Sequence, residues 1–252
     1  MKKIILLLFI AFSITAFAQK TDLTTVNTVK PKLGQKMAFE AAYKVHTAKF
    51  HKAEEKISVY EIMTGTYAGF YHLVNGGRSY ADFDKARTDA STHSLDLDKT
   101  FFPYLEETRN GIYRLVDSLS FHQEIQGESY LVNLRHIKAS LQEDYRLESA
   151  RTVKILSKLK GTFWDNLSFN LFEQLWDGSE PVVVQIRNLK DGFKSLEPNY
   201  YGAATTGAPT FKDEYVKAYG TADWDKRVKL LEDAVVKNEQ YIMKLRKDLS
   251  SQ

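Results

Sequence analysis

The sequence predicts an α+β fold made of two successive β-α-β-β-α units and a long C-terminal helix, and three observations carry that expectation. Glu61-Ile62-Met63-Thr64-Gly65 followed by Phe70 to Asn75 is echoed by Gln174-Leu175-Trp176-Asp177-Gly178 followed by Val183 to Asn188. The spacing of the two glycines (178 − 65 = 113) is kept by Tyr80/Phe193, Phe83/Leu196 and Thr108/Thr221, as an internal repeat requires. Each half also presents an alternating segment, a helical spacing and a hairpin in the same order.

The elements follow along the chain. Lys2 and Lys3 precede an apolar run from Ile4 to Phe12, and Ala16-Phe17-Ala18 offers small residues for cleavage. Residues 1–18 therefore read as a signal peptide cut after Ala18, which predicts export to the periplasm or the exterior of a bacterium. The first unit is expected over 19–127 and the second over 128–252. In the first, Thr24 to Lys30 alternates as a strand, and Phe39, Tyr43, His46 and Phe50 repeat at helical spacing. Ile57 to Met63 and Gly69 to Val74 form a hairpin around Gly65, and Phe101 to Leu119 reads as helix. A closing strand near Ser120 to Ile125 would complete that unit. In the second, Tyr130 to Lys138 is a strand and Ser140 caps a helix carrying Leu141, Tyr145, Val153, Leu156 and Leu159. Phe169 to Trp176 and Val182 to Arg187 form the second hairpin. Phe211 to Gly220 and Asp223 to Leu249 read as helix.

Composition narrows the function. Hydrophobic residues make up 43% and aromatics 13% of the chain, enough for a packed core. There is no cysteine, so disulfides, thiolate metal sites, a cysteine nucleophile and a lipoprotein-type anchor are excluded. The net charge of +3 attracts neither nucleic acid nor anionic membrane, and the basic run around Arg151, Lys154 and Lys158 follows helical spacing as a solvated face. No later segment has the roughly 20 apolar residues of a spanning helix. No phosphate loop or nucleophile elbow is present. The six histidines show no i, i+4 pair, so the sequence predicts no metal site, and His46 on its apolar stripe reads as core.

The approach Val29-Lys30-Pro31-Lys32-Leu33-Gly34 into the first helix, and the hairpin running into Gly77-Arg78-Ser79-Tyr80-Ala81-Asp82-Phe83, resemble the ferredoxin-like units of the dimeric α/β-barrel superfamily. The resemblance implies two tandem ferredoxin-like units packing sheet to sheet as a pseudo-dimeric α/β barrel within one chain. It also implies a relationship to monooxygenases and haem-handling proteins; the sequence itself leaves the cofactor open and does not exclude His72 or His136 as a haem ligand. The long helix in place of a last strand departs from that pattern and puts closure in doubt.

Strand alternation divides the side chains into two sets. An apolar set, with Val26, Tyr71, Leu73, Val132, Leu134, Leu171, Val184 and Ile186, is expected beneath the helices. A mixed set would line the space between the sheets, where polar groups need partners or a ligand. Within it, Glu61 and His72 are the candidate general acid or base pair, replaced in the second unit by Gln174 and Gln185. Asn27, Arg135, Gln174, Trp176, Gln185 and Arg187 are the candidate ligand-binding residues, the arginines suited to an anionic group. Val228, Leu231, Val235, Ile242 and Leu245 repeat in steps of three and four around Asn238, a seam for a homodimer through the C-terminal helix. Tyr200 to Pro209 reads as a loop, either a lid over the pocket or an exposed connection.

The sequence thus predicts an exported protein that binds a small, partly apolar ligand between its sheets. The alternatives are a monooxygenase-like or haem-handling enzyme using Glu61 and His72, and an envelope interaction module dimerising through its last helix.

Overall fold

A computed structural model describes residues 21–52, 55–121, 127–159, 167–175, 180–197 and 209–251. Residues 1–18, read from sequence as a signal peptide, Trp176, and residues 200–208 of the loop before Thr210 lie outside the described residues. Eight strands, β1 (Leu23–Pro31), β2 (Ser58–Ile62), β3 (Tyr71–Arg78), β4 (Leu105–Leu115), β5 (Ser129–Ile137), β6 (Phe169–Gln174), β7 (Val182–Asn188) and β8 (Val235–Leu245), form one closed antiparallel barrel. Their spatial order is β1-β3-β2-β8-β5-β7-β6-β4. Outside it lie α1 (Lys36–Phe50), α2 (Tyr80–Asp84), α3 (Ala90–Thr100), α4 (Gln142–Leu156), α5 (Phe211–Tyr219) and α6 (Thr221–Ala234).

This overturns the expected two ferredoxin-like units facing one another sheet to sheet with a long C-terminal helix. The strands belong to one continuous closed sheet, and the last regular element is a strand. Two segments account for the difference. The span Phe101 to Leu119, read as helix, is mostly β4, which pairs with β1 at nine positions. Its sequence, LEETRNGIYRL, is rich in residues depleted from strands, and cross-strand pairing overrides that preference. The span Asp223 to Leu249 is α6 followed by β8, which pairs with β5 at nine positions. The supposed seam is therefore broken: Val228 and Leu231 lie on α6, whereas Val235, Ile242 and Leu245 lie on β8 inside the barrel wall. Leu231 and Val235 pack within the protein's own core, and Ile242 is buried.

Chain reversals position the wall. Gly34, with φ +76°, turns the chain from β1 toward α1 in a backbone region that glycine enters without steric cost. Gly65, with φ +82°, lies so close to β8 that a Cβ there would stand 2.8 Å from the Gln240 carbonyl oxygen. Capping boxes start two helices, Ser79 with Asp82 on α2 and Thr210 with Asp213 on α5.

The helices pack on the outer face of the barrel. α1 lays Phe39 and Tyr43 on Tyr71 and Phe101, with Phe39 and Tyr71 ring centroids 4.9 Å apart. Each such aromatic pair contributes about 0.5–1.5 kcal/mol beyond its buried area. On the opposite side α4 and α6 cover Ile137, Leu171 and Val183.

Closure depends on two short seams of three residue pairs each, β2 with β8 and β4 with β6. An ionic cluster staples each from outside. At the first, Arg246 reaches Glu61 (2.8 Å) and Glu40 (2.6 Å), and Lys36 also bonds Glu61. At the second, buried Glu173 on β6 holds Arg114 of β4 (2.9 Å) and Arg146 of α4 (2.8 Å).

Candidate functional site

The barrel encloses a cavity of about 610 Å³. Its wall is set by alternation: β1 contributes Val26 and Thr28, β3 His72 and Val74, β5 Val132 and Leu134, β7 Val184 and Ile186, and β8 Tyr241 and Met243. Tyr60, Tyr67, Tyr113, Tyr130 and Phe172 add aromatic surface. Most of the lining is hydrocarbon or ring, the character of a site for a small apolar ligand.

Into this lining the fold sets one polar relay. Thr28 lies opposite His72 in the β1–β3 register. Its hydroxyl stands 2.8 Å from His72 Nδ1, and the Tyr241 hydroxyl from β8 stands 2.9 Å from Nε2. A neutral imidazole donates from one nitrogen and accepts at the other, so the row Thr28–His72–Tyr241 can pass a proton along its length. Burial pushes the His72 imidazole down to about 4, which leaves it neutral at neutral pH. Burial, followed by the neighbouring Tyr113, raises the Tyr241 phenol well above its ordinary range. Tyr130 is pushed up to about 12, again chiefly by burial. The relay is thus uncharged at rest, with hydroxyls and an imidazole facing an apolar chamber.

The His72 shift fixes a pH dependence. An unfolded-chain histidine titrates near 6.5 and the folded one near 4, so between those values the unfolded state binds the extra proton. Its stabilising contribution is complete above about pH 6.5 and is lost progressively as pH falls toward 4. The melting temperature is expected to fall from pH 7 to pH 5, and to fall less in His72→Gln, which does not titrate. Equal drops in the two proteins would refute this assignment.

Beyond the relay, the Tyr67 hydroxyl stands 3.3 Å from Glu239, which also pairs with Lys237 at 2.7 Å. The Arg109 guanidinium covers the Tyr67 ring at 5.6 Å. Tyr67, Glu239 and Arg109 border the same cavity and give it one polar, charged edge.

The residues singled out from sequence are distributed over both faces of the wall. His72 and Gln174 line the cavity. Glu61 does not meet His72: in the β2–β3 register Tyr60 lies opposite His72 and Glu61 opposite Tyr71, so the carboxylate points outward to Arg246 and Lys36. The expected acid–base pair is corrected accordingly. Asn27 neighbours the inward-facing Val26 and Thr28, so it is on the outer side of β1. Arg135 and Gln185 meet at 3.5 Å outside the barrel, in a second cavity of about 430 Å³ beneath α4 and α6. Arg187 shares the outer face of β7 with Gln185. Trp176 lies outside the described residues.

The structure inverts the expected phase on β1, β5 and β7. On these strands the apolar face lines the cavity and the mixed face, with Asn27, Arg135, Gln185 and Arg187, turns outward, so alternation separates the two faces without saying which of them is interior. Tyr241 escapes the sequence because its strand reads as helix, and Thr28 because a lone threonine carries no signal until His72 stands opposite it.

A haem iron would need a free imidazole nitrogen. Both nitrogens of His72 are occupied by hydroxyls. The relay does not fit haem ligation through His72.

No protein-family model matches the chain, and no curated protein matches it. Solved structures do. The chain is similar to an anthrone oxidase-like protein, with TM-score 0.53 and 14% identity over 91% of this chain and 92% of that one. It is also similar to provisionally assigned monooxygenases from Fusobacterium nucleatum (TM-score 0.51, 10% identity, covering 90% and 93%) and Lactobacillus acidophilus NCFM (TM-score 0.50, 10% identity, covering 92% and 96%). At these identities the likeness is one of fold, which the chain shares with them. Among the described residues no helix is long and apolar enough to cross a membrane.

Proposed function

We propose that the chain is a monooxygenase-like enzyme that binds a small polycyclic or phenolic compound inside the barrel and removes a proton from it through the Thr28–His72–Tyr241 row. The observation that carries this reading is a neutral imidazole bridging two hydroxyls in an otherwise apolar, aromatic-lined chamber. The names of the similar structures supply the reaction class, oxidation of an anthrone-like substrate by oxygen.

A ligand hydroxyl donating to the Tyr241 oxygen lets Tyr241 pass its own proton to His72 Nε2. Moving a proton from a phenol or enol of pKa about 10 to an imidazole near 4 costs about 8 kcal/mol. Attraction between the resulting ions at about 5 Å offsets roughly 3 kcal/mol of that at an effective dielectric of 20. The remainder fits well within the barrier of an enzyme turning over at about 10 per second. The electron-rich anion then reacts with dioxygen. For a methylene carbon conjugated to a carbonyl the balance is CH₂ + O₂ → C=O + H₂O, which consumes no external reductant.

The leader-like residues 1–18 support a setting outside the cytoplasm. Anthrone in air-saturated buffer is the direct probe, with oxygen consumption and quinone absorbance followed together. One oxygen molecule consumed per quinone formed, above the no-enzyme rate, is the expected result. Absence of both binding and turnover across anthrone and simple polyphenols would overturn the proposal.

A further inference from the structure

On the outer face, remote in role from the barrel relay, three histidines that the sequence scatters over two helices come together. His46 lies on α1, His51 immediately after it and His93 on α3, and their ligand atoms all fall within 4.8 Å of one another. His46 Nε2 stands 3.2 Å from His51 Nε2, and His93 Nε2 stands 3.5 Å from the same atom. Two nitrogens bound to a tetrahedral zinc at about 2.0–2.1 Å are about 3.3–3.4 Å apart, so the His46–His51 and His51–His93 separations match a metal's requirement, and the third pair lies within 4.8 Å.

The hydrogen bonds on the far sides of the rings strengthen the case. His46 Nδ1 is 2.8 Å from Asp96 Oδ2, and His51 Nδ1 is 3.1 Å from the Glu55 carbonyl oxygen. Both partners only accept, so both Nδ1 atoms carry the proton. In the neutral rings Nε2 of His46 and Nε2 of His51 then face each other with lone pairs at 3.2 Å, a repulsive arrangement in a site where both side chains are buried. A cation between the lone pairs resolves the conflict. A carboxylate or carbonyl behind each ligating imidazole is the usual outer-shell arrangement of metal-bound histidine.

We propose that His46, His51 and His93 form a binding site for a divalent transition metal of the zinc class, which would pin α3 and the segment after α1 to α1. Imidazole ligands with no thiolate select zinc, cobalt, nickel or copper over calcium and magnesium. Phe50 packs against His46 and His93, with centroids 5.0 and 5.1 Å away, and shields the site. Arg87 is the opposing charge nearby, and it is paired with Asp89 (2.9 Å) and Glu55 (3.0 Å). Lys49 is held by Asp96 at 3.1 Å. The half-buried side of His93 leaves the fourth position for water or a small anion.

The test uses the full folded chain without an affinity tag, stripped by chelator and titrated with Co²⁺ and Zn²⁺. One Co²⁺ per chain with the intense visible bands of tetrahedral coordination is expected, displaced by Zn²⁺. At a hundred-fold excess over Kd, Zn²⁺ should raise Tm by about 5–10 °C. His93→Gln, on the accessible side, should weaken binding at least 100-fold while His136→Ala leaves it unchanged. Octahedral Co²⁺ spectra, no stoichiometric binding, or equal affinity in His93→Gln would each overturn the site.

Discussion

His72→Phe is expected to lower turnover of an anthrone-like substrate by about 10²–10⁴-fold, the usual contribution of a positioned acid–base group. The reason lies in where the proton can go. Among the described cavity-lining groups, His72 is the imidazole held between two hydroxyls, and a phenyl ring in its place would accept from neither Thr28 nor Tyr241. Substrate binding, set by the rings and aliphatic groups around it, should change far less, so the loss should appear in kcat rather than KM. Tyr241→Phe breaks the same row one step nearer the cavity and should lose turnover similarly. If the proposed turnover holds, the acid limb of kcat/KM in the unmutated protein should fall near pH 4, where the buried imidazole takes up its proton. Full activity in His72→Phe would refute proton transfer through this row and leave the barrel as a binding chamber.

Glu148→Ala is expected to destabilise the protein by about 3–5 kcal/mol, the cost of removing one member of a buried ion pair. Glu148 is 4% exposed on α4. It pairs with Arg227 of α6 at 2.9 Å and accepts a hydrogen bond from the wholly buried Tyr215 of α5 at 2.8 Å. Alanine strands a guanidinium and a phenol hydroxyl together, and three helices lose their common tie. For a chain of this size the Tm should fall by roughly 10 °C. Glu148→Gln, which keeps an acceptor for Tyr215, should cost less. A loss under about 1 kcal/mol in urea unfolding would show that Arg227 finds water instead.

The sequence makes much of this architecture readable, and the failures have identifiable causes. β1, α1, the β2–β3 hairpin, β5, α4 and the β6–β7 hairpin follow from periodicity and turn residues. β4 and β8 do not, because Glu106, Glu107, Arg109 and Asn110, and likewise Lys237, Asn238, Glu239 and Gln240, carry little strand preference and owe their conformation to long partners across the sheet. Reading those two segments as helix removes the strands that close the wall. His72 is legible as a polar residue on a strand face, whereas its partners come from β1 and from the misread β8. The three-histidine cluster escapes spacing rules because His46 and His51 are five residues apart across a helix end and His93 arrives from another helix.

The barrel wall is unequal in strength. β1 with β4 and β5 with β8 are joined along nine positions, while the seams between β2 and β8 and between β4 and β6 have three. Brief opening follows the weakest hydrogen-bonded line. Tyr60 and Met243 border one seam and Tyr113 and Gln174 the other, all of them cavity-lining residues. Local parting of the wall therefore costs fewest hydrogen bonds along these two lines, and it is there that the outward-facing charge clusters of Arg246 and Glu173 add their ties.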